Sequence, residues 1–564
     1  MDEQTMIYIG IIAGVLLILL VQYFVSRKAH YRNICQKVKE QWGKVSDREY
    51  TLEEFDKISH YYEQHKGERF SIDDITWNDM GMDDIFLLLN TTGSAIGEEY
   101  LYRALRTPEF DEKVLKRRSE LADYFRANTT AREQYAVCFA QMGRKKRIAL
   151  ADYVHKLKEM PKTAAWPHVL AILLLIGAIG SFGIRPAYGI GILLCVIIFN
   201  VITYYKYKGD MDVYFQCMSE VADLVEYGLR LNRIDVKAEV LEPYQKNLRE
   251  TCSGLKPVRS QSWILSTKSG VGGSLMEAAM DYMCMMTHLD LLMFHKITKV
   301  VKNKGAELEL LMETMGCLEL GLCIGSYREF LDTFCEPVFH RKSSGTLCCQ
   351  EIYHPLVENA VPNTIRTDKP VLVTGSNASG KSTFLKTIGI NAILAQTIYT
   401  VSANYYETDF CKVYSSMALS DSLETKESYY MVEIKSLKRI LDTIGDEIPV
   451  LCFVDEVLRG TNTVERISAS TKILESMAGK NVLCFAATHD IELTKLLCDL
   501  YANYHFEEQI EDNDVLFSYK LYPGRAETRN AIRLLSIMGY DGRIIENAQA
   551  MAERFVKTGE WSLK

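Results

Sequence analysis

The chain reads as two fold classes joined end to end: a C-terminal α/β domain built on a parallel sheet, preceded by a long all-α part that carries transmembrane helices. Three observations predict this. Beyond about residue 350, apolar strand candidates at 371–374, 450–454 and 482–487 each run into a polar motif and then a helical pattern. That is the βαβ rhythm of a sheet whose ligand sits at the carboxyl ends of its strands. Residues 76–158 and 210–335 instead repeat their apolar positions at helical spacing. Finally, Ile7–Val25, Val169–Ile184 and Ala187–Tyr205 are apolar blocks of roughly the ~20-residue length that crosses a bilayer.

The N-terminal block has no charged side chain over nineteen residues. It lacks a basic leader and a small-residue cleavage site, so it reads as an anchor. The other two blocks, split by Arg185-Pro186, read as a membrane hairpin, with a buried core hairpin as the alternative. Arg27, Lys28 and Arg32 follow the first span, and Lys206 and Lys208 follow the third. Positive charge on that side predicts an outside N-terminus, a cytoplasmic remainder and a multi-pass cell-membrane location. Trp166, Tyr188, Tyr204 and Tyr205 stand where interfacial belts form. The fifteen cysteines make no CxxC pair and no zinc spacing, and the net charge of −8 carries no global nucleic-acid signature.

Between the spans, residues 31–75 are polar and helical in spacing, and Glu98-Glu99-Tyr100-Leu101-Tyr102-Arg103 opens an amphipathic stretch. Ala279–Lys302 and Leu308–Phe334 are long periodic runs that read as lever arms. The glycine-rich stretch Ser269–Ser274 follows no strand candidate, so it reads as a break between helices rather than a phosphate site.

The chemistry concentrates in three strand ends. After Val371-Leu372-Val373 come Thr374, Gly375, Ser376, Asn377, Ala378, Ser379, Gly380, Lys381, Ser382 and Thr383. This is a phosphate loop in its required strand–loop–helix context. Its glycines let backbone N–H groups converge on phosphate oxygens at the positive end of a helix. Lys381 can reach the β- and γ-phosphates, and Ser382 can ligate Mg²⁺. Val450–Val454 leads to Asp455, a hard oxygen donor for the metal, and Glu456, placed as general base. Phe485-Ala486-Ala487-Thr488 leads to His489, which can hold the γ-phosphate or the attacking water. Ser428 precedes a helical run, so its hydroxyl and the helix N-terminus suit an anion.

These residues resemble the ATPase domain of the MutS proteins of DNA mismatch repair, relatives of the ABC-type ATPases. The resemblance rests on the phosphate loop, Phe453-Val454-Asp455-Glu456, Arg459-Gly460-Thr461-Asn462-Thr463, and Ala487-Thr488-His489 with Glu492-Leu493-Thr494. Tyr353–Glu358 is similar to the segment before the family's ATPase core, Ser428–Glu433 to its signature loop, and Ser536–Ala548 to its closing helical segment. Upstream, Thr91-Thr92, Gly97, Leu101-Tyr102-Arg103, Pro108 and Arg118 resemble the start of the MutS core domain, and Leu318–Val338 its lever helix.

The resemblance implies an α/β P-loop NTPase of the ABC/MutS type, with ATP and Mg²⁺ as cofactors and a homodimer formed through the ATPase domains. Each phosphate loop would face Ser428 of the partner subunit, making Lys381, Glu456, His489 and Ser428 the catalytic set. It lays the chain out as an anchor (1–30), a juxtamembrane linker (31–75), a MutS-core-like segment (76–165), a membrane hairpin (166–207), a lever segment (208–345) and the ATPase domain (346–564). Two departures stand out. A membrane span occupies the place of the family's mismatch-reading domain, and Ala360 falls where the family stacks an aromatic ring on adenine; Tyr519 is the candidate for the other ring face. The expected partners are therefore a second copy, the membrane, and DNA without a dedicated mismatch wedge. The alternative is an ABC-type ATPase of transport or of non-DNA remodelling. Three spans are few for a translocation path, and the transporter signature Leu-Ser-Gly-Gly-Gln is absent. A non-hydrolysing tether is disfavoured by the intact Lys381, Glu456 and His489.

Overall fold

The computed structural model describes residues 3–46, 48–67, 69–144, 152, 164–183, 186–209, 212–261, 275–340, 345–376, 379–417, 429–445, 447–459, 461–479, 481–511, 514–526, 532, 535, 539–558 and 561. Its contacts divide into two units. The first gathers Met1–Gly67, Leu89–Arg103 and Arg117–Phe330; the second gathers Glu68–Leu88, Ala104–Lys116 and Leu331–Lys564. Two short segments of the expected helical core thus pack with the α/β part.

Among the described residues the helical elements are α1 (Glu3–Gln41), α2 (Leu52–His65), α3 (Asp74–Met80), α4 (Met82–Leu89), α5 (Ala95–Arg106), α6 (Glu112–Ala127) and α7 (Thr129–Met142). They continue as α8 (Trp166–Ser181), α9 (Pro186–Gly209), α10 (Asp212–Leu231), α11 (Glu242–Gln261), α12 (Leu275–Thr287), α13 (Leu289–Asn303) and α14 (Gly305–Phe330). In the first unit α14 is the central post: Leu308, Leu311, Met315, Leu318 and Leu322 are buried along it. Glu319, also buried on α14, accepts hydrogen bonds from the Gly93 N–H, the Ser94 N–H and the Ser94 hydroxyl, so it closes the N-terminus of α5 from outside the helix. Gly97 is required beneath it, because a Cβ there would overlap the Glu319 carboxylate.

The single long run expected at 279–302 is two helices. His288 between them has φ 53°, in the left-handed region. It is held there by its own side chain, whose Nε2 lies 2.9 Å from the Asn200 carbonyl and whose Nδ1 lies 3.1 Å from His168 Nδ1. Both α8 and α9 expose apolar side chains, among them Leu173, Ile176, Ile179, Ile190, Leu194 and Ile202. Among the described residues one helix, Tyr188–Gly209, is long and apolar enough to cross a membrane; Trp166–Ser181 is apolar but shorter. The block Ile7–Val25 lies within α1, and most of its side chains fall outside the described residues, as does Ser269–Ser274.

The second unit holds two sheets. The smaller, in the order β1-β5-β2-β3, is made of Val338–His340 (β1), Leu347–Ile352 (β2), Asn363–Thr367 (β3) and Tyr405–Asp409 (β5). The larger runs β10-β9-β4-β8-β7-β6 through Asp514–Pro523, Ala502–Glu511, Val371–Thr374, Val482–Ala487, Val450–Asp455 and Lys412–Ser416. Strands β6, β7, β8, β4 and β9 are parallel, and β10 closes the edge as the antiparallel arm of a hairpin. Strands β4 and β8 are buried along their whole length, as continuous apolar runs covered on both faces must be. Helices α15 (Lys381–Ile398), α16 (Tyr429–Asp442), α17 (Thr463–Ser476), α18 (Ile491–Leu496) and α19 (Gly542–Thr558) complete the described elements. One face of α16, Leu437 and Ile440 with Tyr430 and Ile434, packs into the core built on β7 and β8. From the early segment, Asp79 on α3 caps the end of β6, accepting from the Ser415 hydroxyl at 2.6 Å and the Met417 N–H at 2.9 Å.

Candidate active site

Strand register brings the three motifs together. Val373 on β4 pairs with Ala487 on β8, and Ala487 pairs in turn with Asp455 on β7. The phosphate loop, the Asp-Glu pair and the Thr488-His489 pair therefore leave the sheet at one level, on its carboxyl edge. Backbone bonds tie the exits: Thr488 N–H to Val373 O at 3.0 Å, and Glu456 N–H to Ala487 O at 2.9 Å.

The loop after β4 turns on two glycines in conformations that L side chains rarely adopt, Gly375 at φ 150° and Gly380 at φ 104°. Gly380 is the N-cap of α15, so the free N–H groups of that helix face the loop. Lys381 is buried; its ammonium donates to the carbonyls of Gly375 at 2.9 Å and Ser376 at 2.7 Å. Burial pulls its pKa down, and Asp455 and Glu456 act against that. Ser379 is also buried, and its hydroxyl has no partner among the described residues. An orphaned donor inside a phosphate loop has a natural acceptor in a phosphate oxygen. The Ser376 hydroxyl donates to Glu508 on β9, a residue the sequence alone did not single out.

The Ser382 hydroxyl donates to Asp455 Oδ2, while Asp455 Oδ1 is buried and has no partner among the described residues. Burial raises the pKa of this carboxyl. A buried carboxylate oxygen lacking a donor, next to a serine hydroxyl, suits a hard divalent cation that keeps most of its water. The residues present therefore fit Mg²⁺. Glu456 stands at φ 55°, a strained backbone for a side-chain-bearing residue. Its Oε1 meets His489 Nε2 at 2.8 Å, and Arg459 pairs with its other oxygen. Burial alone would raise its pKa, but His489 and Arg459 outweigh that and hold the carboxyl down at about 2.

Lys381, Ser382, Asp455, Glu456 and His489 thus lie at one sheet edge. Tyr519 is placed beside the loop: a Cβ on Gly380 would meet its ring at 3.2 Å, and its carbonyl accepts from Asn363 Nδ2 at 3.0 Å. Asn377, Ala378 and Ser428 lie outside the described residues. Besides Glu508, two contributors appear in the sequence only as members of longer motifs, without a role of their own. Arg459 had been read only as part of a motif, and Glu433 is a buried acid on the apolar face of α16. The second had a legible signal: Glu433 sits three residues after Tyr430 and four before Leu437, on the stripe that must pack inward. A cavity of about 670 Å³ in the helical unit, lined in part by Tyr50, Glu98, Arg144 and Glu319, is a different place. Its charges are largely committed to each other, as in Arg144–Glu98 at 2.9 Å and Lys39–Glu133 at 3.1 Å.

Residues 371–556 match the family model of MutS domain V. The chain is 31% identical over 216 residues to the DNA mismatch repair protein MutS of Thermus thermophilus, covering 37% of this chain and 26% of that protein. It is 28% identical over 281 residues to the DNA mismatch repair protein MutS of Thermotoga petrophila, covering 47% and 34%. It is 32% identical over 207 residues to MutS protein homolog 4 of Homo sapiens, covering 33% and 21%. The chain spans about a quarter of the length of the first of these relatives. Residues 371–556 are thus similar to domain V of the MutS proteins, and the strand-end site lies inside the matched region.

Proposed function

We propose that the protein is a membrane-anchored, MutS-like ATPase. The observation that carries this reading is the meeting of Lys381, the Ser382–Asp455 pair and the Glu456–His489 pair at the carboxyl ends of β4, β7 and β8. The N-terminal N–H groups of α15 and Lys381 bind the triphosphate. Ser382 and Asp455 would hold Mg²⁺, which when bound neutralises charge on the β- and γ-phosphate oxygens. Glu456 stays ionised and accepts a hydrogen bond from the attacking water, and His489 orients that carboxylate. Its basicity rises once Arg459 is drawn away, because that cation is one of the groups holding its pKa near 2.

In this reading two copies form composite sites, each completed by Ser428 of the partner subunit, and hydrolysis moves the helical arms. Helices α8 and α9 form a hairpin in the membrane, supported by their exposed apolar faces, and α1 is the anchor. The N-terminus lies outside and the ATPase domain in the cytoplasm. Adenine is met by Tyr519, with Ala360 leaving the opposite ring face uncovered. DNA is a candidate partner through kinship with the mismatch-repair proteins.

The test is ATP turnover by the full chain in detergent, with and without homoduplex and mismatched DNA over a salt series. ATP hydrolysis that Lys381→Ala removes supports the ATPase. Failure of the wild type to bind or hydrolyse ATP overturns it. DNA binding with steep salt dependence supports the DNA arm; no effect of either duplex on turnover or binding removes it and leaves a non-DNA cargo at the membrane.

A further inference from the structure

We infer that Glu433 is a positioning residue: it holds the backbone turn that aims Glu456 and Arg459, and so links α16 to the hydrolytic carboxylate. The inference rests on the ATPase reading and deepens it.

Glu433 is 3% exposed on a helix whose inward face is otherwise apolar. Burying a carboxylate there is costly unless it is hydrogen-bonded, and burial does push its pKa up. What it contacts accounts for its presence. One carboxylate oxygen accepts from the Leu458 N–H, and the Arg459 N–H also supports the charge. Those two N–H groups lie in the turn immediately after β7. In that turn Glu456 and Leu458 both have left-handed backbones, φ 55° and φ 60°. For a branched side chain such as Leu458 that conformation costs about 1–2 kcal/mol, and it persists only where neighbours over-determine it.

Ser470 on α17 donates to the Val457 carbonyl at 3.2 Å, and Leu458 itself is buried in the sheet core. Glu433 supplies the remaining restraint, from above the turn. Its other oxygen, Oε2, is buried with no partner among the described residues. The turn in turn sets the Glu456 carboxylate against His489 and Arg459. Glu433 is also one helical turn past Tyr429, the first residue of α16, which follows Ser428 directly in sequence. A shift of α16 at its N-terminal end is therefore carried to the Glu456 turn through one side chain.

The experiment measures steady-state ATP turnover and equilibrium ATP affinity, by a fluorescent ATP analogue, for the full chain in detergent. The variants are Glu433→Leu, Glu433→Asp and Glu433→Gln. Leu removes the acceptor and Asp withdraws it by one methylene; for both, kcat is expected to fall about 10- to 100-fold, the scale of a small misplacement of a catalytic group. Nucleotide affinity stays within about twofold, because the phosphate loop is untouched. Gln keeps an acceptor oxygen at the same reach and retains kcat within about threefold. Wild-type kcat in Glu433→Asp, or an equal loss in Gln and Leu, overturns the assignment. If Leu also loses ATP affinity, the Asp and Gln pair decides by the same criteria. A wild type without turnover defeats the ATPase reading instead, so the two failures are told apart.

Discussion

Two glutamates on opposite sides of the division between units show how one side chain is put to two uses. Glu456 ends a strand in the α/β unit, half-covered, with His489 and Arg459 against its two oxygens, and its pKa is held at about 2. Glu319 is buried inside the helical unit, bonded among the described residues to the Gly93 and Ser94 N–H groups and the Ser94 hydroxyl, and burial pushes its pKa up to about 7. Hydrogen bonds from His489 and Arg459 keep the first ionised at every physiological pH. Neutral donors around a buried carboxyl leave the second near its own midpoint. One carboxylate is available to a water molecule; the other has become a clasp on a helix end.

The widest test of that contrast is substitution of Glu456. Glu456→Gln should lower ATP turnover by about 10²–10⁴-fold, the usual worth of a positioned general base, with ATP still bound. Wild-type turnover in that variant would remove Glu456 from the chemistry. Next, Glu319→Ala leaves the Gly93 and Ser94 N–H groups without that acceptor and should cost about 2–4 kcal/mol of helical-unit stability. Denaturant unfolding followed on peptides 93–106 by hydrogen exchange would measure it, and a change under ~0.5 kcal/mol would contradict the clasp.

A third test uses pH, and the two regions respond with opposite sign. Glu319 has a folded pKa of about 7, above its ordinary 4.5. The folded state therefore holds the extra proton, and the helical unit loses stability as pH rises from about 4.5 to 7, with no further change above. Glu456 is depressed instead, so its contribution is full above 4.5 and lost as pH falls toward 2. Glu319→Gln should flatten the first dependence, because an amide oxygen still accepts from both N–H groups; a slope kept in that variant would assign the effect to another group. The smallest expected effect is Tyr519→Ala. Loss of one stacking face should weaken ATP affinity by about threefold to tenfold, read by fluorescent-analogue titration; unchanged affinity would place the base elsewhere.

The phosphate loop and its companion strands were legible because buried parallel strands are continuous apolar runs with their motifs at the exits. Expected strands at 371–374, 450–454 and 482–487 appear as Val371–Thr374, Val450–Asp455 and Val482–Ala487. Strands such as Tyr405–Asp409 and Lys412–Ser416 were not anticipated, since polar residues interrupt the continuous apolar run that marks the buried strands. The break at His288 was hidden because it depends on His168 and Asn200, far away in sequence. Asp79 could not be tied to the α/β unit for the same reason: its partners, Ser415 and Met417, lie more than three hundred residues on. Within the site, residue types and spacing named Lys381, Ser382, Asp455, Glu456 and His489. The contacts that tune them, Arg459 on Glu456 and Glu433 on the Leu458 N–H, exist only after the turn beyond β7 has formed.

The most direct test of the central claim is the chemical state of nucleotide held by Glu456→Gln after incubation with ATP and Mg²⁺, separated and quantified from the protein. With the phosphate loop, Ser382 and Asp455 intact and only the water-directing carboxylate neutralised, the nucleotide recovered should be uncleaved ATP, where the wild type yields ADP. Recovery of ADP from Glu456→Gln at the wild-type rate would contradict the account.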